Sequence, residues 1–486
     1  MTGMLTYAVS FLPTFQEVLI GFTVILILVG AIQSFIYAWS LPHALIEINK
    51  YSQRDDDHAG WEMLRSEAYL PMSIIVPAFN EENTIRESVL ALLRLHYPDF
   101  RVIVVNDGSS DNTAERMIDE FDMSPAYYVR ETETLTHQPL REIYGSDRYP
   151  NLLFLDKKNG KKADAINAGL TCVRTPLFCV IDADSLLEPE ALLKAVRPFL
   201  ETSDNVIAVG GTVGIVNGCT VENGRVTRYS LPDKLLPRIQ MVEYIRAFLM
   251  ARLAASRKKT FTIISGAFGI FRRDIAVAVG GYDTTTVGED MELVLKMHNY
   301  MIENNKPYSI RYIPEPVCWT EAPESFKFLR NQRIRWQRGA LECLERHKYM
   351  IFNRKYGRLG MITMPTFVLV DFIGPIAELA GYLLLIIFVL SGWLSVWSFI
   401  FITGLVFSFG ILITSLALVI EQDEIENFSN PVDIFRVFLT SVIENFGYRQ
   451  LNSYWRMKGA YLHFFGPKAT WGSMSRVGFK TEKKKT

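Results

Sequence analysis

The chain has 486 residues, 49% hydrophobic and 21% charged, a length that predicts about three domains and a mixture that fits neither a wholly soluble enzyme nor a polytopic transporter. Lys and Arg (51) nearly balance Asp and Glu (52), and a net charge of −1 provides no global field for nucleic acid. Five scattered cysteines (172, 179, 219, 318, 343) without a CxxC pair indicate neither a zinc site nor a disulfide framework, and fit a reducing, cytosolic setting for the soluble part.

The first predicted element is a membrane span from Val18 to Trp39, uncharged throughout and long enough to cross roughly 30 Å of hydrocarbon. A cleaved signal peptide fits less well, because no Lys or Arg precedes Lys50. From residue 71 the pattern changes to strands alternating with helices. Ser73–Pro77 reads as a buried strand, and Ile85, Val89, Leu92 and Leu93 recur at helical spacing. Arg101–Val105 and Phe178–Ile181 read as further strands, with a helix from about Pro189. This alternation predicts an α/β domain with a mostly parallel sheet. Asn80, Asp107 and Asp182/Asp184 each fall just past a strand end, where such sheets bind ligands.

Two later stretches, 236–253 and 325–348, mix apolar residues with arginines and read as helices lying on a membrane surface or packed on the domain. Two more apolar segments follow. Met361–Leu390 is longer than one span needs and contains Asp371, Pro375 and Glu378, which predicts a kinked span or a half-helix followed by a span. Trp397–Ile420 is a clean span, and Ile434–Leu451, with Arg436, Glu444 and Arg449, reads as interfacial or packed against protein. Lys50, Arg54, Arg354, Lys355 and Arg358 flank the middle region and place it in the cytoplasm, with the N-terminus outside. The expected organisation is therefore 1–44 with the first span, 45–345 catalytic, 346–452 membrane and 453–486 a basic cytosolic tail.

Four motifs carry chemistry. Asp182-Ala-Asp184 follows an apolar run, and carboxylates spaced i, i+2 at a strand end can share one Mg²⁺ or Mn²⁺ that neutralises a departing diphosphate. Alone, such a pair is more often a helix cap. Asp107 in Val-Asn-Asp-Gly-Ser-Ser-Asp can accept from a uracil N–H, although Asp-Gly is also a common turn. Lys162 and Asp164 in Gly-Lys-Lys-Ala-Asp-Ala can flank the same nucleotide. Glu289 and Asp290 open a helix, where carboxylates usually cap; the sharper reading makes Asp290 a general base, with Glu289 and Glu292 behind it. Gln332-Arg333-Ile334-Arg335-Trp336 joins an indole suited to sugar stacking with arginines suited to diphosphate. His96, His298 and His347 lack metal-ligand spacing and read as structural or surface residues.

In this order the motifs resemble the membrane-integrated family 2 glycosyltransferases, which include cellulose, hyaluronan, chitin and poly-N-acetylglucosamine synthases. Pro77-Ala-Phe-Asn80-Glu81-Glu82 and Gly280-Gly-Tyr-Asp283 match that style as well. The resemblance implies a GT-A fold and an inverting transfer from a UDP-sugar, UDP-GlcNAc foremost, to a growing polysaccharide. It places Asn80, Glu81, Asp107, Lys162, Asp164, Asp182 and Asp184 around the donor. Asp182 and Asp184 hold the metal, and Asp290 is the base with Glu289 beside it. Gln332, Arg333, Arg335 and Trp336 serve the diphosphate and acceptor. It also implies export through the spans, to which Asp371 and Glu378 would contribute polar lining unless they simply sit near the membrane interface. Three spans make a thin channel, which an accessory membrane subunit, a homo-oligomer, or use of the 361–378 and 434–451 segments would complete. The rival readings are a single-sugar transferase acting on a lipid carrier and a non-catalytic membrane scaffold.

Overall fold

The computed structural model describes residues 2–52, 69–201, 204–222, 224–425 and 430–467; Arg54 and the Lys-rich tail lie outside the described residues. Helix α1 (Thr2–Ser52) leads into a domain built on one ten-stranded sheet. In chain order the domain comprises β1 (Met72–Ala78), α2 (Ile85–Leu92), β2 (Phe100–Asn106), α3 (Thr113–Glu120), β3 (Met123–Pro125), β4 (Leu140–Ser146) and β5 (Leu152–Lys157). Then come α4 (Lys162–Thr171), β6 (Leu177–Ile181), β7 (Leu186–Leu187), α5 (Ala191–Glu201), β8 (Val206–Ile215) and the hairpin β9 (Thr220–Glu222) with β10 (Arg225–Arg228). Helix α6 (Leu235–Ile245), β11 (Phe268–Arg272), α7 (Glu289–Glu303), β12 (Ser309–Thr320) and α8 (Phe326–Arg346) complete it.

The order across the sheet is β3-β4-β5-β2-β1-β6-β11-β8-β12-β7. The predicted strands and their helices are where the apolar pattern put them, and β5-β2-β1-β6 is a parallel core buried on both faces. The expectation of a mostly parallel sheet is corrected. β8 and β12 run parallel, but β11 enters antiparallel between β6 and β8, and β3, β4 and β7 also pair antiparallel, so the sheet is mixed. An apolar run reports burial on two faces and is blind to direction, which depends on where the chain re-enters the sheet.

Among the described residues, three helices are long and apolar enough to cross a membrane: Glu17–Tyr51, Leu359–Leu390 and Val396–Val419. Their surfaces leave large apolar side chains uncovered, such as Phe35, Leu390 and Phe401, as lipid-facing helices do. The second is interrupted, as Pro365 and Pro375 require. Two π-helical stretches, Leu359–Thr363 and Val368–Ile373, precede α9 (Gly374–Leu390). The loosened carbonyls of the second stretch are satisfied from three other helices. Gln33 of α1 donates to Leu369 O (3.2 Å), and Gln337 of α8 donates to Asp371 O (2.6 Å). Arg456 also donates to Asp371 O (3.0 Å) and to its carboxylate (2.8 Å).

After α10 (Val396–Ile425) the chain departs from expectation. The stretch 434–451 is not one helix: Gly447, at φ +93°, turns the chain between α11 (Pro431–Ile443) and α12 (Tyr448–Phe465). The expected tail boundary at residue 453 falls inside α12, which packs between α8 and α9. Glu378 accepts from Arg449 (2.7 Å) and Ser453 (2.6 Å), so both acidic residues of the second span are paired to α12. The 236–253 stretch has its apolar face inside the protein: Ile239, Val242, Phe248, Leu249 and Leu253 are buried, and Arg246 pairs with Glu444 (2.5 Å). Helix α8 buries Leu329, Leu341 and Leu344 while Phe326 and Trp336 stay exposed.

Helix α8 touches backbone on both sides. A Cβ on Gly339 would come within 2.8 Å of Gly288 N and Cα, and one on Gly459 of α12 would meet Gln337 Cβ at 2.8 Å and Ile334 O at 3.0 Å. Gly381 of α9, by contrast, has open space around it. Gly339→Ala is therefore expected to cost about 1–3 kcal/mol and lower the melting temperature of the purified chain in detergent, whereas Gly381→Ala leaves it unchanged or slightly raised. Equal melting temperatures for the two variants would refute the close approach.

Candidate active site

The acidic motifs converge at the carboxyl ends of the parallel core. Asn80 lies just beyond β1 in a left-handed turn (φ +58°), and its side chain accepts from Ser110 N–H (2.8 Å) while its own N–H donates to Ser109 Oγ (2.9 Å). Glu81 N–H donates to Thr113 Oγ1 (2.9 Å), and its carboxylate accepts from Thr84 (2.6 Å). These contacts tie the loop after β1 to the loop after β2.

Asp107, the first residue past β2, is 3% exposed and held from one side. Lys157 donates to its Oδ1 (2.5 Å), Gly160 N–H to the same oxygen (2.9 Å) and Lys161 N–H to Oδ2 (2.7 Å). Lys157 also pairs with Asp164 (2.6 Å), whose carboxylate accepts from Gln138 N–H (3.0 Å). Gly108 is obligatory here, since φ is +68° and a Cβ would lie 2.8 Å from Asn159 N. Lys157 was missed from sequence. It ends a strand of apolar residues, and a lysine in that position, fully buried in the structure, is the signal that could have found it.

The second cluster joins residues from distant parts of the chain. Lys162, the first residue of α4, pairs with Asp182 and donates to Gly266 O (3.2 Å). A small cavity beside it is lined by Lys162, Gly266, Tyr282, Glu289 and Asp290. Burial opposes the charge of Lys162, but Asp182, Glu289 and Asp290 outweigh it and raise the ammonium's pKa. The two carboxyls at the start of α7 differ. Glu289 is 4% exposed, and burial, followed by the adjacent Asp290, pushes it up to about 7. Asp290 is half-buried and faces the cavity. Glu292 turns away to His347 (3.0 Å), and His298 is held between Tyr308 (2.6 Å) and Phe261 O (2.9 Å), so both histidines are structural, as read from sequence.

Helix α8 brings its motif to this cluster through the Gly288–Gly339 contact. Glu342 accepts from Thr286 Oγ1 (2.7 Å) and Val287 N–H (3.1 Å), and Cys343 packs on Gly288 O. Arg335 lies within electrostatic reach of Glu289. Gln332 is half-buried with its Oε1 unpaired, and Trp336 is 39% exposed. Arg333 is drawn elsewhere. Its guanidinium pairs with Glu243 (2.5 Å), which also accepts from Tyr448 (2.9 Å), and lies over the Trp336 ring (4.7 Å). Of the motif's arginines, Arg335 lies within electrostatic reach of Glu289 and Arg333 serves the packing of α6 and α12.

Asp182 and Asp184 follow β6, and both offer hard oxygens. Among the described residues no group of three or more His, Cys, Asp and Glu side chains is arranged to hold a metal ion. The pair is a partial donor set, of the kind Mg²⁺ accepts when phosphate oxygens and water complete its octahedron. The residues present fit such an ion.

Residues 71–339, more than half the chain, match the model of the glycosyltransferase like family 2. The chain is 28% identical over 276 residues to a poly-beta-1,6-N-acetyl-D-glucosamine synthase of Staphylococcus epidermidis, covering 57% of this chain and 56% of the relative. It is 27% identical over 285 residues to the synthase of the same description from Staphylococcus aureus, covering 58% of each. The match thus spans little more than half the length of these relatives. Among solved structures, the mannosyltransferase PcManGT from Pyrobaculum calidifontis, in complex with GDP-Man and Mn2+, aligns over 90% of this chain and 99% of its own at 16% identity, with a TM-score of 0.49. The S. aureus TarS fragment in complex with UDP-GlcNAc aligns over 78% of this chain and 92% of its own at 16% identity, with a TM-score of 0.38. By the extent of the family match, the chain belongs to the family 2 glycosyltransferases.

Proposed function

We propose that this chain is a processive, inverting glycosyltransferase that extends a β-linked polysaccharide from a UDP-sugar, UDP-GlcNAc foremost, on the cytoplasmic face of a membrane. The observation that carries the reading is that Lys162 pairs with Asp182 and lines one cavity together with Glu289 and Asp290, beside a helix that is packed directly on a membrane span. The named activity of the relatives supports polymerisation and the choice of sugar. Arg354, Lys355 and Arg358, next to the second span, support the orientation.

In this reading Asp107 and the loop from Lys157 to Lys162 receive the nucleotide, with Asn80 and Glu81 shaping the neighbouring loop. Asp182 and Asp184 would hold a divalent cation, Mg²⁺ or Mn²⁺, which would offset the charge of the leaving diphosphate. Gln332 and Arg335 act on the diphosphate, and Trp336 offers its ring to the acceptor sugar. Asp290 takes the proton from the acceptor hydroxyl. The hydroxyl oxygen then bonds to the anomeric carbon as the carbon–phosphate oxygen bond breaks, the electron pair leaves with UDP, and one displacement inverts the centre. Both carboxyls line the cavity, and Asp290 suits this role better than Glu289 because it is half-buried and so more accessible, whereas Glu289 is almost wholly buried and, pushed up to about 7, is only partly ionised at neutral pH.

Membranes containing the chain, supplied separately with labelled UDP-GlcNAc, UDP-Glc and UDP-GlcA plus Mg²⁺ or Mn²⁺, are expected to make long, EDTA-sensitive product from UDP-GlcNAc. Asp290→Asn should lower the rate about 100- to 10,000-fold, the usual contribution of a general base, and Asp184→Asn should abolish the metal-dependent product. Short, lipid-extractable product would overturn polymerisation in favour of single transfer to a lipid.

Glu289 carries a pH dependence of opposite sign to an ordinary surface carboxylate. Its folded value of about 7 lies above the ordinary 4.5, so the native state keeps a proton that the unfolded chain has released, and stability declines as pH rises through that window. Glu289→Gln is expected to lose less melting temperature than the parent chain between pH 5 and pH 8, by a few degrees. Parallel curves for the two proteins would show that Glu289 ionises as an ordinary carboxyl.

A further inference from the structure

We propose that Lys162 is a stand-in cation: with no nucleotide bound its ammonium occupies Asp182, and it passes to the Glu289–Asp290 pair when a metal–diphosphate takes Asp182. Metal binding then waits on the donor. The inference deepens the proposed function and rests on its assignment of Asp182 and Asp184 to a divalent cation.

The geometry supports it in three ways. Lys162 Nζ is the ion-pair partner of Asp182. The ammonium also sits beside the other acidic motif: a Cβ placed on Gly266 would lie 2.9 Å from Nζ and 3.8 Å from Asp290 Oδ2, so the two groups flank one point in the same cavity. Finally, Lys162 is fixed at the backbone, and its tip is held by polar contacts that a rotation of the side chain can exchange. It opens α4 directly after Lys161, whose φ of +76° fixes the turn, while its head group is held by Gly266 O (3.2 Å) and the Asp182 pair.

A lysine has a flexible four-carbon stem and three donors in rotatable positions, so it can exchange one carboxylate for another with no backbone movement. A dication reaching Asp182 alone must evict this ammonium and meets its repulsion at short range. A dication arriving with a diphosphate brings compensating negative charge, and the displaced ammonium has Asp290 and Glu289 to receive it. By linkage, whatever the nucleotide adds to metal affinity the metal adds to nucleotide affinity.

The test is a Mn²⁺ titration of the full chain in detergent, with free Mn²⁺ read by electron paramagnetic resonance, with and without UDP. Without UDP, Lys162→Met is expected to bind Mn²⁺ roughly 10-fold more tightly than the parent chain, a typical coupling between linked sites, and to gain less from added UDP. Lys162→Arg, which keeps the charge, should resemble the parent. Lys162→Gln serves as a second neutral variant should Lys162→Met fail to fold. If the neutral variants bind Mn²⁺ no more tightly than the parent while Asp184→Asn abolishes binding, the stand-in role is wrong and the metal site survives. If Asp184→Asn leaves Mn²⁺ affinity unchanged, the metal assignment fails and the stand-in role falls with it.

Discussion

The contact on which the rest depends is the passage of helix α8 between two backbones. On one side Gly339 lies against Gly288, immediately before the carboxyls of α7; on the other Gly459 of α12 admits Gln337 and the carbonyl of Ile334. Side chains then lock what the glycines allow: Glu342 grips the loop before Gly288, and Gln337 reaches the π-helical turn of the second span at Asp371 O. A displacement of α8 would thus be felt by Glu289–Asp290 and by the membrane region together. Close-packed interiors transmit such shifts because there is no void to absorb them.

The membrane-side half of this linkage explains an irregular span. A π-helical stretch leaves carbonyls poorly matched within its own helix, a cost that hydrocarbon would make severe. Here Gln33, Gln337 and Arg456 supply the missing donors from three separate helices. The irregularity is a junction where an outer span, the motif-bearing helix and α12 meet. Asp371 and Glu378 are neutralised at the same junction by Arg456 and Arg449, so both are partners of α12.

On the sheet side, two lysines manage the negative charge at the carboxyl ends of the GT-A strands. Lys157 is enclosed between Asp107 and Asp164, and Lys162 faces Asp182, Glu289 and Asp290. Their settings differ in consequence. Lys157 is fully buried between partners a few ångströms apart and behaves as a fixed brace, because removing either partner would strand a buried charge. Lys162 is outnumbered by its carboxylates and lines a cavity, so its ammonium has alternatives.

The sequence alone determined the elements whose signal is local. The apolar runs of β1, β2 and β6, the helical spacing of Ile85–Leu92, the three membrane-length segments and the acidic residues just past strand ends are all consequences of side-chain period and composition, which folding does not alter. Tertiary structure decided what depends on meetings between distant residues. The direction of β11 was not legible, because burial is the same for a strand run either way. Sequence alone divides helix α12 between the 434–451 segment and a basic tail from 453, because Arg449, Ser453 and Arg456 are polar and become partners of the second span only once Glu378 and Asp371 stand opposite them. Arg333 and Arg335 are alike in the motif, yet two residues apart on the helix one pairs with Glu243 while the other lies within electrostatic reach of Glu289. Pairing is a property of three-dimensional neighbours, and the chain's order does not contain it.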